Sequence, residues 1–193
     1  MSRNLLTVLS CMGAVFVASA SAAQDFQPAL ESYYAETLSA LATDATLAAA
    51  ITAQNAQNGG LDQAAIDALD TAWRAEVGTA STPTITPVIS NATSDFLRGF
   101  VEQSGGRITE IFVMDAKGLN VAASAVTSDM WQGDEAKFSE TFGKGAGVVH
   151  YSEVENDEST GRYQAQISFT VVDPATGQPI GAVTVGVDAE SLM

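Results

Sequence analysis

The stretch from Ile108 to Phe138, ITEIFVMDAKGLNVAASAVTSDMWQGDEAKF, constrains the fold most. A strand, a tight turn, a returning strand and an aromatic and acidic segment follow one another in it without interruption. From Ile108 to Met114 the apolar residues are dense and β-branched or aromatic, which suits a strand buried largely on both faces. Asp115 to Gly118 then reverses the chain. An Asp at the first turn position bonds the backbone N–H two residues on, and a Gly at the fourth takes a positive φ. Asn120 to Val126 is therefore the return strand.

The chain has 193 residues, enough for one ordinary domain with a real core. Its start has the form of a secretory leader: Arg3, an apolar run from Leu5 to Ala18, and small residues at Ala20, Ser21, Ala22 and Ala23 before the first acid, Asp25. The run is too short, with Ser and Gly inside it, for a membrane anchor. Cys11 is too early for a lipoprotein site. Cleavage is expected after Ala22 or Ala23, giving a periplasmic or secreted protein with residues 1–23 as signal peptide. Removing Cys11, the only cysteine, leaves no disulfide and no thiol chemistry. Removing Arg3 takes the formal charge from −15 to −16. Lys and Arg are few and scattered, so nucleic acid and anionic membrane are excluded as partners.

Residues 24–106 form an expected helical part and 107–193 a sheet. Leu30, Tyr34, Leu38, Leu41, Ala45, Ala48 and Ile51 recur at steps of three and four, one stripe of a single long helix from Pro28 to Asn58 ended by Gly59 and Gly60. Asp62 caps a second helix with Ile66, Leu69, Trp73 and Val77 as its buried stripe, Leu61 packing back on Ile66, and Asp70 and Arg74 paired one turn apart. Thr79 to Pro87 is an irregular connection. Ser90 or Asn91 caps a third helix carrying Phe96, Leu97, Phe100 and Val101. Asn91-Ala-Thr93 also matches a glycosylation acceptor, but capping explains the Asn.

Beyond the hairpin, Asp134 to Phe142 is a short helix and Val148 to Glu153 a third strand. Arg162 to Val172 alternates, with Tyr163, Ala165, Ile167, Phe169 and Val171 on one face and Gln164, Gln166, Ser168 and Thr170 on the other. Asp173 to Gly177 turns the chain into a last strand from Ile180 to Val187. The fold class is α+β: helices packed on a five-stranded antiparallel sheet.

Gly143 to Gly147 leads into a strand, so no helix N-terminus faces an anion there. Glu155 to Gly161 lacks the closing Glu of a calcium loop, Gln166 standing in its place, and reads as a solvated turn with Arg162 ion-paired beside it. With His150 as sole histidine and no elbow motif around a serine, no nucleophilic or metal-dependent enzyme is expected, and no cofactor.

The hydrophobic strand ending at Asp115, the turn to Gly118, the Asn120 strand, the segment Ser128 to Glu135 and the late strand Ile180 to Asp188 together resemble the Cache domain, the PAS-like extracellular sensor module of bacterial receptors. The resemblance covers about half the chain. It implies a long N-terminal helix on one sheet face, dimerisation through that helix, and a pocket on the opposite face for amino acids, carboxylates, amines or purines. Carried over by position, the ligand-binding residues are Met130, Trp131, Asp134, Tyr151, Tyr163 and Asp188, with Gln164 and Gln166 as substitutes for Tyr163 if the alternation runs the other way. Trp131 plugging the sheet, Asp134 capping a helix and the tyrosines filling core are the plain alternatives. Cache sensors continue through a membrane helix into an output segment, whereas this chain is expected to be a free-standing form that signals to a membrane partner. A scaffold without a pocket that only binds protein is the second reading.

Overall fold

The computed structural model describes residues 19–157 and 162–193. The chain runs through α1 (Ser19–Tyr33), a π-helical turn (Tyr34–Leu38), a 3-10 turn (Ser39–Thr43), α2 (Ala45–Asn58), α3 (Gln63–Glu76), α4 (Ile85–Ile89), α5 (Ala92–Gln103), β1 (Ile108–Met114), β2 (Asn120–Ala123), α6 (Ala136–Ser139), β3 (Val149–Tyr151), β4 (Glu155–Asp157), β5 (Arg162–Val172) and β6 (Pro179–Asp188). The strand order is β2-β1-β6-β5-β3, every pairing is antiparallel, and β4 also pairs with β5. Because β3 lies opposite Phe169 to Ile167 and β4 opposite Gln164 to Arg162, the two occupy one edge position end to end. The sheet thus has the five positions that the sequence implied.

The central turn forms as its residues dictate. Lys117 N donates to Asp115 Oδ1 at 2.8 Å, Gly118 N donates to Asp115 O at 3.0 Å, and Gly118 has φ +80°. β2 is shorter than expected, ending at Ala123.

The single long helix is corrected. Asp44 takes an extended conformation and its carboxylate accepts from Thr46 N and Leu47 N, starting α2 afresh. The new helix turns Leu47 inward and leaves Ala45 exposed, whereas Leu30, Leu38, Leu41, Ala48 and Ile51 are buried as expected. Asp62 and Asn91 do cap α3 and α5, accepting from Ala65 N and Ser94 N, each at 2.9 Å. Asn91 Nδ2 is engaged by the carbonyls of Pro87, Val88 and Val121. Val77 lies beyond the end of α3 and is 43% exposed, against expectation, and the connection after it contains α4. The helix expected over 134–142 shrinks to α6 and a following 3-10 turn. The acidic turn is in part β4; its remainder, residues 158–161, and the Arg162 side chain lie outside what is described, as does nearly all of the expected signal peptide. No helix among the described residues is long and apolar enough to cross a membrane.

Alternation sorts the sheet into two faces. Ile111, Val113, Ala165, Ile167, Phe169, Val171, Val183, Val185 and Val187 pack with Leu30, Leu38, Leu41, Leu47 and Ile51 into the main core. Each such side chain contributes about 1.5–3 kcal/mol when fully buried. The opposite face holds Phe112, Met114, Ala123 and Ala182 under Phe138 of α6. A third cluster, of Ile66, Trp73, Ile85, Val88, Leu119 and Met130, joins α3 and α4 to the loop after β2.

Candidate functional site

The far face of the sheet, away from α1 and α2, is only partly covered. Phe138 stacks on Phe142 with ring centroids 5.2 Å apart and seats α6 on Phe112 and Ala182, over one half of that face. Over the other half lies an open cavity of about 620 Å³, lined by Glu110, Glu135, Lys137, Ser152, Glu153, Glu155, Gln164, Ala165, Gln166 and Gly186. That volume falls within the range of small-molecule sites. A smaller chamber of about 90 Å³, lined by Phe112, Thr127, Ser128 and Gln132, shares Glu110, Lys137 and Gln166 with it.

Each lining side chain is placed by a local cause. Glu110 and Phe112 share a face because strand residues two apart do. Gly186 lies opposite both Glu110 and Gln166 in the ladder, so no side chain rises between them. On the outer edge, Ser152 N donates to Gln166 O at 2.9 Å and Gln166 N donates to Ser152 Oγ at 2.8 Å, so the chain leaves the ladder between β3 and β4. Glu153 and Glu155 stand on that interrupted edge and are exposed.

Lys137 is the one basic group in the lining. Its Nζ lies 3.0 Å from Glu135 Oε2, donates to Gln132 Oε1 at 3.2 Å and sits 5.4 Å from the Phe112 ring centroid. Burial raises the pKa of the Glu110 carboxyl, while the Lys137 charge and a hydrogen bond with Gln166 oppose the rise. Four glutamates, Glu110, Glu135, Glu153 and Glu155, thus surround one ammonium that is already paired. The Ser152 hydroxyl donates to Glu153 O at 2.9 Å and accepts from Gln166 N, so both roles are occupied.

The six residues proposed from the sequence are not gathered around this cavity. Tyr151 and Tyr163 lie on the helix face: Tyr151 packs against the main core, and Tyr163 stacks on Phe26 with centroids 6.2 Å apart. The alternation runs the other way, so Gln164 and Gln166 face the cavity. Met130 is buried in the α3 and α4 cluster. Trp131 packs at its rim, donating from Nε1 to Lys117 O at 2.8 Å. Asp134 is exposed. Asp188 is buried opposite Gln164 and accepts from Ser191 N, at the margin of the cavity but not in its wall. Sequence reasoning missed Glu110, Glu135 and Lys137. Glu110 carried a signal, being the only charged residue in a strand of mostly apolar residues.

No family model and no curated protein matches the chain. Solved structures do. The sensor domain of the V. cholerae histidine kinase DctB matches at 14% identity over 89% of this chain and 58% of that one, with a TM-score of 0.46. The ligand-binding domain of the Campylobacter jejuni chemoreceptor Tlp3, in complex with 4-methylisoleucine, matches at 11% identity over 86% and 61%, with a TM-score of 0.41. The ligand-binding domain of the Pseudomonas aeruginosa PAO1 amino acid chemoreceptor PctC, in complex with GABA, matches at 16% over 88% and 58%, with a TM-score of 0.46. Each of the three is, by its name, the sensor or ligand-binding domain of its own receptor or kinase. The chain spans about three fifths of each of these structures.

Proposed function

We propose that the protein is an exported sensor module that binds a small amine-bearing metabolite in the far-face cavity, leaves it chemically unchanged, and passes the bound state to a separate membrane partner. The observation that carries this reading is the cavity itself: about 620 Å³, on the sheet face opposite the N-terminal helices, with Glu110, Glu135, Glu153 and Glu155 in its wall. Carboxylates recognise an ammonium, and Gln164 and Gln166 supply neutral donors and acceptors for a second polar group. Binding without transformation rests on the sequence, in which His150 is the sole histidine and no elbow motif surrounds a serine. Export rests on the leader at residues 1–23, and mass spectrometry of the exported protein should find a start at Ala23 or Gln24.

The test is thermal stability across a metabolite set that contains amines, amino acids and carboxylates, with hits measured by calorimetry. A ligand at 100 times its Kd stabilises by about 2.7 kcal/mol, which a melting curve resolves. Amine-bearing compounds should raise the melting temperature, and Glu110→Gln and Glu155→Gln should each weaken binding. A response confined to anions, or no response across the set, would overturn the reading.

A further inference from the structure

We infer that the protein has a second ligand site, for a small aromatic carboxylate, in the cleft between α1 and the end of α5. This site lies on the helix side of the sheet and does not depend on the far-face cavity. The cleft has a volume of about 210 Å³, and Tyr33, Thr37, Phe100 and Ile108 form its walls with Arg107 at its edge.

Arg107 is held in place through its backbone and through one side-chain nitrogen. Its carbonyl accepts from Asp188 N at 3.0 Å, and its Nε donates to Ser104 O at 3.1 Å. Ser104 is itself fixed, donating from Oγ to Val101 O at 2.7 Å and accepting from Ile108 N at 3.0 Å. The guanidinium carbon sits 5.8 Å from the Tyr33 ring centroid. Its terminal nitrogens have no hydrogen-bond partner among the described residues.

That arrangement departs from the other arginines whose side chains are described. Arg74 pairs with Asp70 and Asp129, and Arg98 pairs with Asp95. In a protein with 23 acids, Arg107 has no carboxylate within ion-pair distance among the described residues. A guanidinium fork with its terminal donors unused matches a planar carboxylate with two parallel hydrogen bonds. The half-buried Phe100 ring and Ile108 offer apolar surface to the body of such a ligand, and the cleft is about a third the size of the far-face cavity, which restricts it to one ring. Arg107 is the one charged group in the lining and the chain carries a net charge of −15, which disfavours polyanions, so a monocarboxylate is the fitting class.

The experiment is an amide NMR titration of the mature protein with benzoate, and with benzyl alcohol as the uncharged control. Benzoate should shift the amides of Thr37, Gln103 and Ile108 saturably at millimolar concentration, and benzyl alcohol should not. Arg107→Gln should weaken benzoate by about tenfold, the loss of one charge-assisted contact. Thr37→Trp, which fills the cleft without touching the charge, should abolish the shifts and decides the matter if Arg107→Gln fails to fold. Glu110→Gln should leave them unchanged. The inference is overturned if benzoate produces no saturable shift there, if Arg107→Gln or Thr37→Trp binds it as the native protein does, or if the shifts centre on the far-face cavity.

Discussion

The Glu110 side chain occupies the space that a side chain at position 186 would need: a Cβ built on Gly186 would lie 2.8 Å from Glu110 Cγ and 2.7 Å from Thr109 Oγ1. The glycine therefore lets the carboxylate lie across the sheet beside Gln166 rather than point into solvent. Gly186→Ala should displace Glu110 and cost about 1 kcal/mol, the low end of overpacking penalties, because a surface-facing side chain yields more easily than a core one. Denaturant midpoints measure the stability loss. Calorimetry with an amine ligand should show weaker binding by the same variant, and unchanged affinity would remove Glu110 from the recognition surface.

The raised pKa of Glu110 gives stability a definite pH slope. For an acid held above its ordinary value, the native protein binds more protons than the unfolded chain between the two values, so stability falls as pH rises from the ordinary carboxylate range through the folded value. Glu110→Gln should remove that contribution, so the stability difference between native protein and variant shifts in favour of the variant as pH rises. Paired denaturation curves over a pH series provide the check. Binding of a cation should change in the opposite sense, tightening as Glu110 ionises.

Asp115 is fully buried with no ion-pair partner among the described residues, and its carboxylate accepts from Lys117 N at 2.8 Å, Leu119 N at 3.0 Å, Gln54 Nε2 at 3.0 Å and Asn58 Nδ2 at 2.8 Å. It ties the central turn to α2. Asp115→Ala would strand these donors and should cost about 3 kcal/mol, whereas Asp115→Asn keeps one acceptor oxygen and should cost less. Equal midpoints for the two variants would show that the turn and α2 are held by other contacts.

These residues also mark how far the sequence could be read. The turn at Asp115 and Gly118 is local chemistry, needing only an Asx hydrogen bond and a positive φ, so it was legible in full. The break at Asp44 was not, because Leu41 and Ala48 keep a helical spacing of seven across it while the intervening residue is extended; periodicity does not register a cap inside a stripe. The alternation of β5 was legible, but the choice of face was not. Tyr163 goes to the helix side because Phe26 of α1 stacks on it, a contact 137 positions distant that no local pattern encodes. The cavity wall is assembled from β1, the α6 segment, the β3 to β4 edge, β5 and β6, and its acids other than Glu110, taken alone, each have the look of a solvated charge.

Trp131 and Asp134, near neighbours in the segment after β2, should differ in what their loss costs in stability. The Trp131 ring lies against the turn: a Cβ on Gly133 would overlap its Nε1, and a Cβ on Gly118 would lie 2.6 Å from Gly133 Cα. Its Nε1 donates to Lys117 O, its backbone N donates to Asp70 Oδ1, and its residue bridges Leu119 in an antiparallel pair. Trp131→Ala removes the ring that these two glycines close upon and leaves Lys117 O without its partner, so it should cost about 2 kcal/mol, less than a fully buried tryptophan because the side chain is only half-buried. Asp134 is exposed, and Asp134→Ala should change stability by less than about 0.5 kcal/mol. Neither substitution touches the wall of the far-face cavity, so calorimetry at a temperature where both variants are folded should find amine binding retained. A Trp131→Ala protein of native stability that had lost its ligand would instead place the recognition surface at the turn, with Trp131 as a direct contact.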